Sequence, residues 1–104
     1  MPGRLDIIWL LKAEVSFQEI YNWISNYSDI RAEEFYKETN NILEQAAVFP
    51  ELGHSCGMEI RRVLALGGRY GIFYRVETKR LVVLGIEDLR QDSERIWRNL
   101  GVHD

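Results

Sequence analysis

Pro50 divides this chain, and the spacing of apolar residues differs on its two sides. That change of period restricts the fold more than any other feature of the 104 residues. Ahead of it, Ala13, Phe17, Ile20 and Ile24 recur at steps of four and three, while Glu14, Gln18, Glu19 and Asn22 take the opposite side. Residues three and four apart share a face of an α-helix, so the spacing predicts an amphipathic helix over about Lys12 to Asn26. The stretch before it, Leu5–Leu11, is apolar except for Asp6, the pattern of a buried strand. Tyr27-Ser28-Asp29 then interrupts the period, and Ser28 or Asp29 can accept from the free amides that open a second helix. Ala32, Phe35, Ile42, Leu43 and Ala46 form its apolar side; Arg31, Glu33, Glu34, Lys37 and Glu38 form a solvated one. Pro50 ends it, because the proline ring disfavours a helical residue just before it. Two helices joined by so short a turn make a helical hairpin.

After Pro50 the period falls towards two. Met58, Ile60, Leu64 and Leu66 alternate with Glu59, Arg61, Val63 and Ala65, with Arg62 interrupting the apolar side. Gly67-Gly68 suits the positive φ angles of a two-residue hairpin turn. The next strand, from Arg69, places Tyr70, Ile72, Tyr74 and Val76 on one face, and Glu77-Thr78-Lys79-Arg80 turns into the apolar run Leu81–Ile86. Asp92-Ser93 caps a short helix with Ile96, Trp97 and Leu100. The expected fold is α+β: N-terminal strand, helical hairpin, antiparallel three-strand meander and short C-terminal helix, with the hairpin on one sheet face.

A chain of this length buries one core, so a single domain over residues 1–104 is expected. No apolar run approaches the roughly 20 residues of a membrane helix, and Asp6 makes the N-terminus unlike a signal peptide. The one cysteine, Cys56, cannot form an internal disulfide, which points to a reducing, cytoplasmic compartment. Nothing basic precedes Cys56 to lower its pKa, so an inert thiol is expected. The formal net charge of −3 argues against a general nucleic-acid binder, and no direct DNA binding is expected of the chain alone. No metal-ligand spacing, phosphate loop or nucleophile elbow occurs, so neither metal nor cofactor is expected.

Local motifs resemble those of the ParE/RelE toxin superfamily of type II toxin–antitoxin systems, across Ile7 to Asp92. Ala13-Glu14-x-x-Phe17-x-x-Ile20-x-x-Trp23-Ile24 is similar to the family's first helix. Leu43-x-x-Ala46-x-x-Phe49-Pro50-Glu51-Leu52-Gly53 is close to its leucine–proline–glycine segment, and Arg61 stands at its usual arginine. Arg69-Tyr70-Gly71-Ile72-Phe73-Tyr74-Arg75-Val76 looks like its tyrosine–arginine strand. Two departures stand out. Leu10-Leu11 replaces a frequent Ser/Thr-Pro lead-in, and Asp88 stands where histidine is common, although Arg90 and Asp92 keep the rest of that motif.

The resemblance implies one of two activities. RelE-like members are ribosome-dependent ribonucleases, which need a base, a cation and an acid about one phosphate. Here the meander offers Arg61, Arg62, Arg69, Arg75 and Arg90, but lysine only at Lys79 in a turn. Glu87 and Asp88 would repel the phosphate unless one served as the base. ParE-like members poison DNA gyrase without a known catalytic act, and this reading is preferred. A ribosome-dependent mRNA endoribonuclease using Arg61 and Arg90, and a non-toxic antitoxin-binding descendant, remain as alternatives.

The resemblance also implies a cognate antitoxin whose C-terminal segment wraps the toxin as a helix beside the hairpin or as an added strand. Arg61, Arg62, Arg75, Arg90 and Trp23 are the expected target- or antitoxin-binding residues. Each has a plainer alternative. Arg61 could pair with carboxylates at the sheet end, Asp88 or Asp92. Tyr70 and Tyr74 lie on an apolar strand face as core residues would, and Trp9, Trp23 and Trp97 could simply pack. His54 is expected to be a solvated loop residue and His103 part of a frayed tail.

Overall fold

A computed structural model describes residues 3–102; His103 lies outside them. The elements run β1 (Asp6–Trp9), α1 (Leu11–Ser25), α2 (Asp29–Val48), a 3-10 turn (Pro50–Leu52), β2 (His54–Ser55), β3 (Ile60–Ala65), β4 (Tyr70–Glu77), β5 (Arg80–Asp88) and α3 (Ser93–Asn99). The α+β order is the one that the change of period predicts, with β2 and the 3-10 turn added. The expected caps form: Ser28 accepts from the Arg31 amide, and Asp92 from that of Glu94.

The sheet order is β1-β5-β4-β3-β2. β3, β4 and β5 make the antiparallel meander, but β1 joins β5 in parallel, from Asp6 opposite Arg80 to Trp9 opposite Val83, so the sheet is mixed. The hairpin of α1 and α2 covers one face, burying Phe35, Ile42 and Leu43 against Tyr70, Ile72, Tyr74, Leu81, Val83 and Ile86. α3 covers the other face, with Ile96 and Leu100 over Ile60, Phe73, Val82 and Leu84. Each fully buried side chain of this size stabilises the fold by about 1.5–3 kcal/mol relative to exposure. β5 lies inside the sheet with both faces covered, which is why its sequence is a continuous apolar run rather than an alternation.

Four local expectations need correction. Leu5–Leu11 is not a buried strand throughout: β1 is a four-residue edge strand, Leu10 is the N-cap of α1, and Leu11 is its exposed first residue. In β3 the helix side is taken by Val63 and Ala65, whereas Ile60 faces α3 and Leu64 is exposed. With apolar residues on both faces, alternation alone could not choose between them. Ala65 pairs with Tyr70, so the β3–β4 connection holds four residues rather than Gly67-Gly68 alone, with Leu66, Gly67 and Gly68 all at positive φ. Glu38, expected on the solvated face of α2, reaches this turn and accepts from the Leu66 amide at 2.9 Å.

Candidate functional site

The meander spreads its arginines over two faces and two ends. Arg61 lies opposite Tyr74, on the hairpin side. Its Nη1 donates to the Gly53 carbonyl at 2.8 Å, while the Tyr74 hydroxyl accepts from the Gly53 amide and donates to the Pro50 carbonyl, both at 2.8 Å. A Cβ on Gly53 would come within 2.8 Å of the Tyr74 hydroxyl and 3.0 Å of the Arg61 Cβ, so the glycine is a condition of the clamp. Burial pushes the Tyr74 phenol up in pKa, only partly offset by the Gly53 hydrogen bond and the Arg61 charge. Arg61 is thus tied to a loop carbonyl, not to Asp88 or Asp92. Arg62 and Arg75 face the α3 side, opposite Phe73 and Val82 respectively, and Arg75 stands 3.7 Å from Glu77.

Arg90 stands at the other end of β4. Its guanidinium donates to Asp88 at 3.1 Å, and its backbone amide to the same carboxylate at 3.0 Å. Arg69 lies 3.5 Å from that carboxylate and 5.2 Å from the Tyr70 ring centroid. Burial alone would push the Asp88 carboxyl up, but the Arg90 hydrogen bonds and the charges of Arg69 and Arg90 outweigh it and hold the carboxyl below its usual range. Glu87 and Asp88, read together in the sequence, are separated by the pleat. Asp88 lies opposite Tyr70, whereas Glu87 is buried towards α3 and accepts from Gln91 at 3.1 Å and Asn99 at 2.9 Å. Sequence reasoning left Arg69 out of the site residues because its shared carboxylate is distant along the chain.

β1 ends opposite Val83, so the C-terminal half of β5, paired with β4 on one side, has no strand on its other edge. α1 runs along that edge instead, and the Ser16 hydroxyl accepts from the Ile86 amide at 3.1 Å. Between α1, β5 and α3 an open groove of about 1050 Å³ remains. One wall carries Leu11, Val15, Glu19 and Trp23 at steps of four along α1; Arg95 and Asn99 of α3 line the other, and Ile86, Glu87 and Asp88 the floor. Leu11 is 77% exposed, Val15 48% and Trp23 56%, an apolar stripe distinct from the face that α1 buries. Lys12 closes one end by donating to the Leu100 carbonyl at 2.7 Å. Trp23 meets Tyr27 edge to face at 6.4 Å near the other. The steps of four from Leu11 to Trp23 were readable in the sequence as a second stripe. Trp9 instead packs on Phe17, and Trp97 on Phe73. Among the described residues no group of three or more His, Cys, Asp or Glu is placed to hold a metal ion. His54 is exposed on β2, opposite Arg62.

Fold and groove together define a small α+β protein with a helical hairpin and a short helix on opposite faces of a mixed sheet, and an apolar cleft between α1 and α3. The family described as the ParE toxin of the type II toxin–antitoxin system parDE matches residues 7–100, and the chain belongs to it. A solved chain of the chromosomal ParDE TA system from P. aeruginosa has a similar fold, at TM-score 0.58 and 20% identity over 82% of this chain and 96% of that one. No curated protein sequence matches. None of the helices among the described residues is long and apolar enough to cross a membrane.

Proposed function

We propose that this ParE-family toxin inhibits DNA gyrase by binding it in the cytoplasm, without cleaving RNA, and that a cognate antitoxin neutralises it by covering the groove between α1 and α3. The observation that carries the non-catalytic reading is the dispersal of the arginines. Arg61 stands level with Tyr74 and Arg90 follows the Asp88–Tyr70 pair. Four residues of extended β4 separate those levels, about 13 Å at roughly 3.3 Å per residue. Each guanidinium is also engaged, Arg61 by Gly53 and Arg90 by Asp88. A ribonuclease needs cation, base and acid about a single phosphate, and this spacing favours binding over cleavage. Partner binding is supported by the α1 stripe: three large apolar side chains beside an open groove are the footing that an amphipathic helix requires.

Induced expression in a bacterium, with DNA, RNA and protein synthesis followed by labelled precursors, tests the target. Early loss of DNA synthesis, and inhibition of gyrase supercoiling by the purified protein, are expected. Early loss of protein synthesis with cleavage of ribosome-bound message would replace this reading by the ribonuclease one. Normal growth at good soluble expression would make the chain a non-toxic descendant.

A further inference from the structure

The outer surface of the hairpin, on the opposite side of α1 from the groove, carries a second concave feature. Two adjoining clefts of about 230 and 350 Å³ run between α1 and α2 and share Phe17, Gln18 and Tyr36. Their size suits one side chain, being at or below the roughly 300–1,000 Å³ of small-molecule sites. The rings are held by one another: Trp9 meets Phe17 edge to face at 5.7 Å, and Phe17 lies 6.2 Å from both Tyr21 and Tyr36. Tyr36 is 49% exposed.

The polar lining has one character. Glu14 and Glu33 border the clefts, no basic residue does, and neither carboxylate has an ion-pair partner among the described residues. Gln18 and Asn40 turn their amide nitrogens to Asn22 and the Tyr36 carbonyl, which leaves carbonyl oxygens for a visitor. Phe17 is itself stacked on the buried Phe35 at 5.1 Å, so the exposed ring of Tyr36 is the face on offer, and no cation of the described residues lies over it. An exposed aromatic face and two carboxylates without ion-pair partners, with no cation in the lining, complement a group that only donates and carries positive charge.

From this complementarity we infer that the hairpin cleft is a docking subsite for a basic side chain, arginine before lysine, presented by a protein partner. A guanidinium would lie flat on Tyr36 while its N–H groups reach Glu14 or Glu33, a geometry that a compact ammonium satisfies less well. A nucleic-acid partner does not fit, since the clefts offer a phosphate no cation. The subsite is independent of the gyrase reading, and its test needs neither gyrase nor antitoxin.

The test is an NMR titration of the full chain with N-acetyl-arginine amide, and with its neutral isostere N-acetyl-citrulline amide. Saturable shifts confined to the side chains of Trp9, Phe17, Tyr21 and Tyr36 are expected with the arginine probe, at several-fold weaker affinity or not at all with citrulline. Tyr36→Leu and the Glu14→Gln/Glu33→Gln pair, all at exposed positions, should each weaken binding by about two- to fivefold, the second loss vanishing at high salt. Equal shifts with both probes, shifts elsewhere on the surface, or none at all would overturn the inference.

Discussion

Tyr74 shows how one buried polar atom governs a loop. Its hydroxyl serves two backbone groups of the Pro50–Gly53 segment, and the next links are Gly53 and Arg61. Removing the hydroxyl leaves a buried amide and a carbonyl unmatched, so Tyr74→Phe should destabilise by about 2 kcal/mol, read by urea unfolding. The pH dependence carries a sign. The folded-state pKa lies above the ordinary 10.0, so the neutral phenol is the form that the fold prefers. Its contribution is complete below pH 10 and is lost as pH rises through the folded value. The wild type should therefore lose stability on the alkaline side more steeply than the phenylalanine variant. Curves that stay parallel across that range would show that Tyr74 is not the group responsible; Tyr70, raised mainly by burial, contributes in the same direction.

At the scale of elements, α3 is held on the sheet through Ile96, Trp97 and Leu100, and Gly85 leaves room for Leu100. A Cβ at Gly85 would stand 2.8 Å from Leu100 Cδ2. Gly85→Ala should accordingly displace the buried Leu100 side chain and cost about 1 kcal/mol, with amide exchange accelerating across Ser93–Asn99 while α1 and α2 stay protected. Uniform acceleration over all helices would instead mean that α3 is part of the global unfolding unit. Much of this level was legible in the sequence, because helix periods, the caps at Ser28 and Asp92 and the stop at Pro50 depend on near neighbours. The parallel docking of β1, the two-residue β2 and the facing of β3 were not. They depend on residues far along the chain, and an apolar sheet buried on both sides offers no alternation to read. The Tyr74–Gly53–Arg61 clamp was hidden for the same reason: each of the three stands in a motif segment, but their contact forms only when the 3-10 turn folds back over β4. Trp23 was legible only as a candidate beside the plainer reading that it packs, and the structure leaves it 56% exposed at the groove.

For the whole molecule, the arrangement of its surfaces decides which side an antitoxin partner covers. The groove between α1 and α3 is apolar on one wall, whereas Arg62 and Arg75 sit on the α3 side of β3 and β4 and take no part in its lining. A partner seated in the groove should therefore draw its affinity from Trp23 and Val15, since a large aromatic against a recess is the usual energetic centre of an interface. Trp23→Ala should weaken antitoxin binding by about 2 kcal/mol, close to 30-fold in Kd. Arg62→Glu and Arg75→Glu should change it only a few-fold and chiefly at low salt, because exposed charges act over a Debye length of about 8 Å at physiological ionic strength. Calorimetric titrations of each variant with the antitoxin would separate these cases. A loss on reversing Arg62 or Arg75 that exceeds the loss at Trp23 would move the antitoxin to the α3 side of β3 and β4. The groove would then be left for the target, and the same Trp23→Ala variant should lose toxicity while keeping its antitoxin.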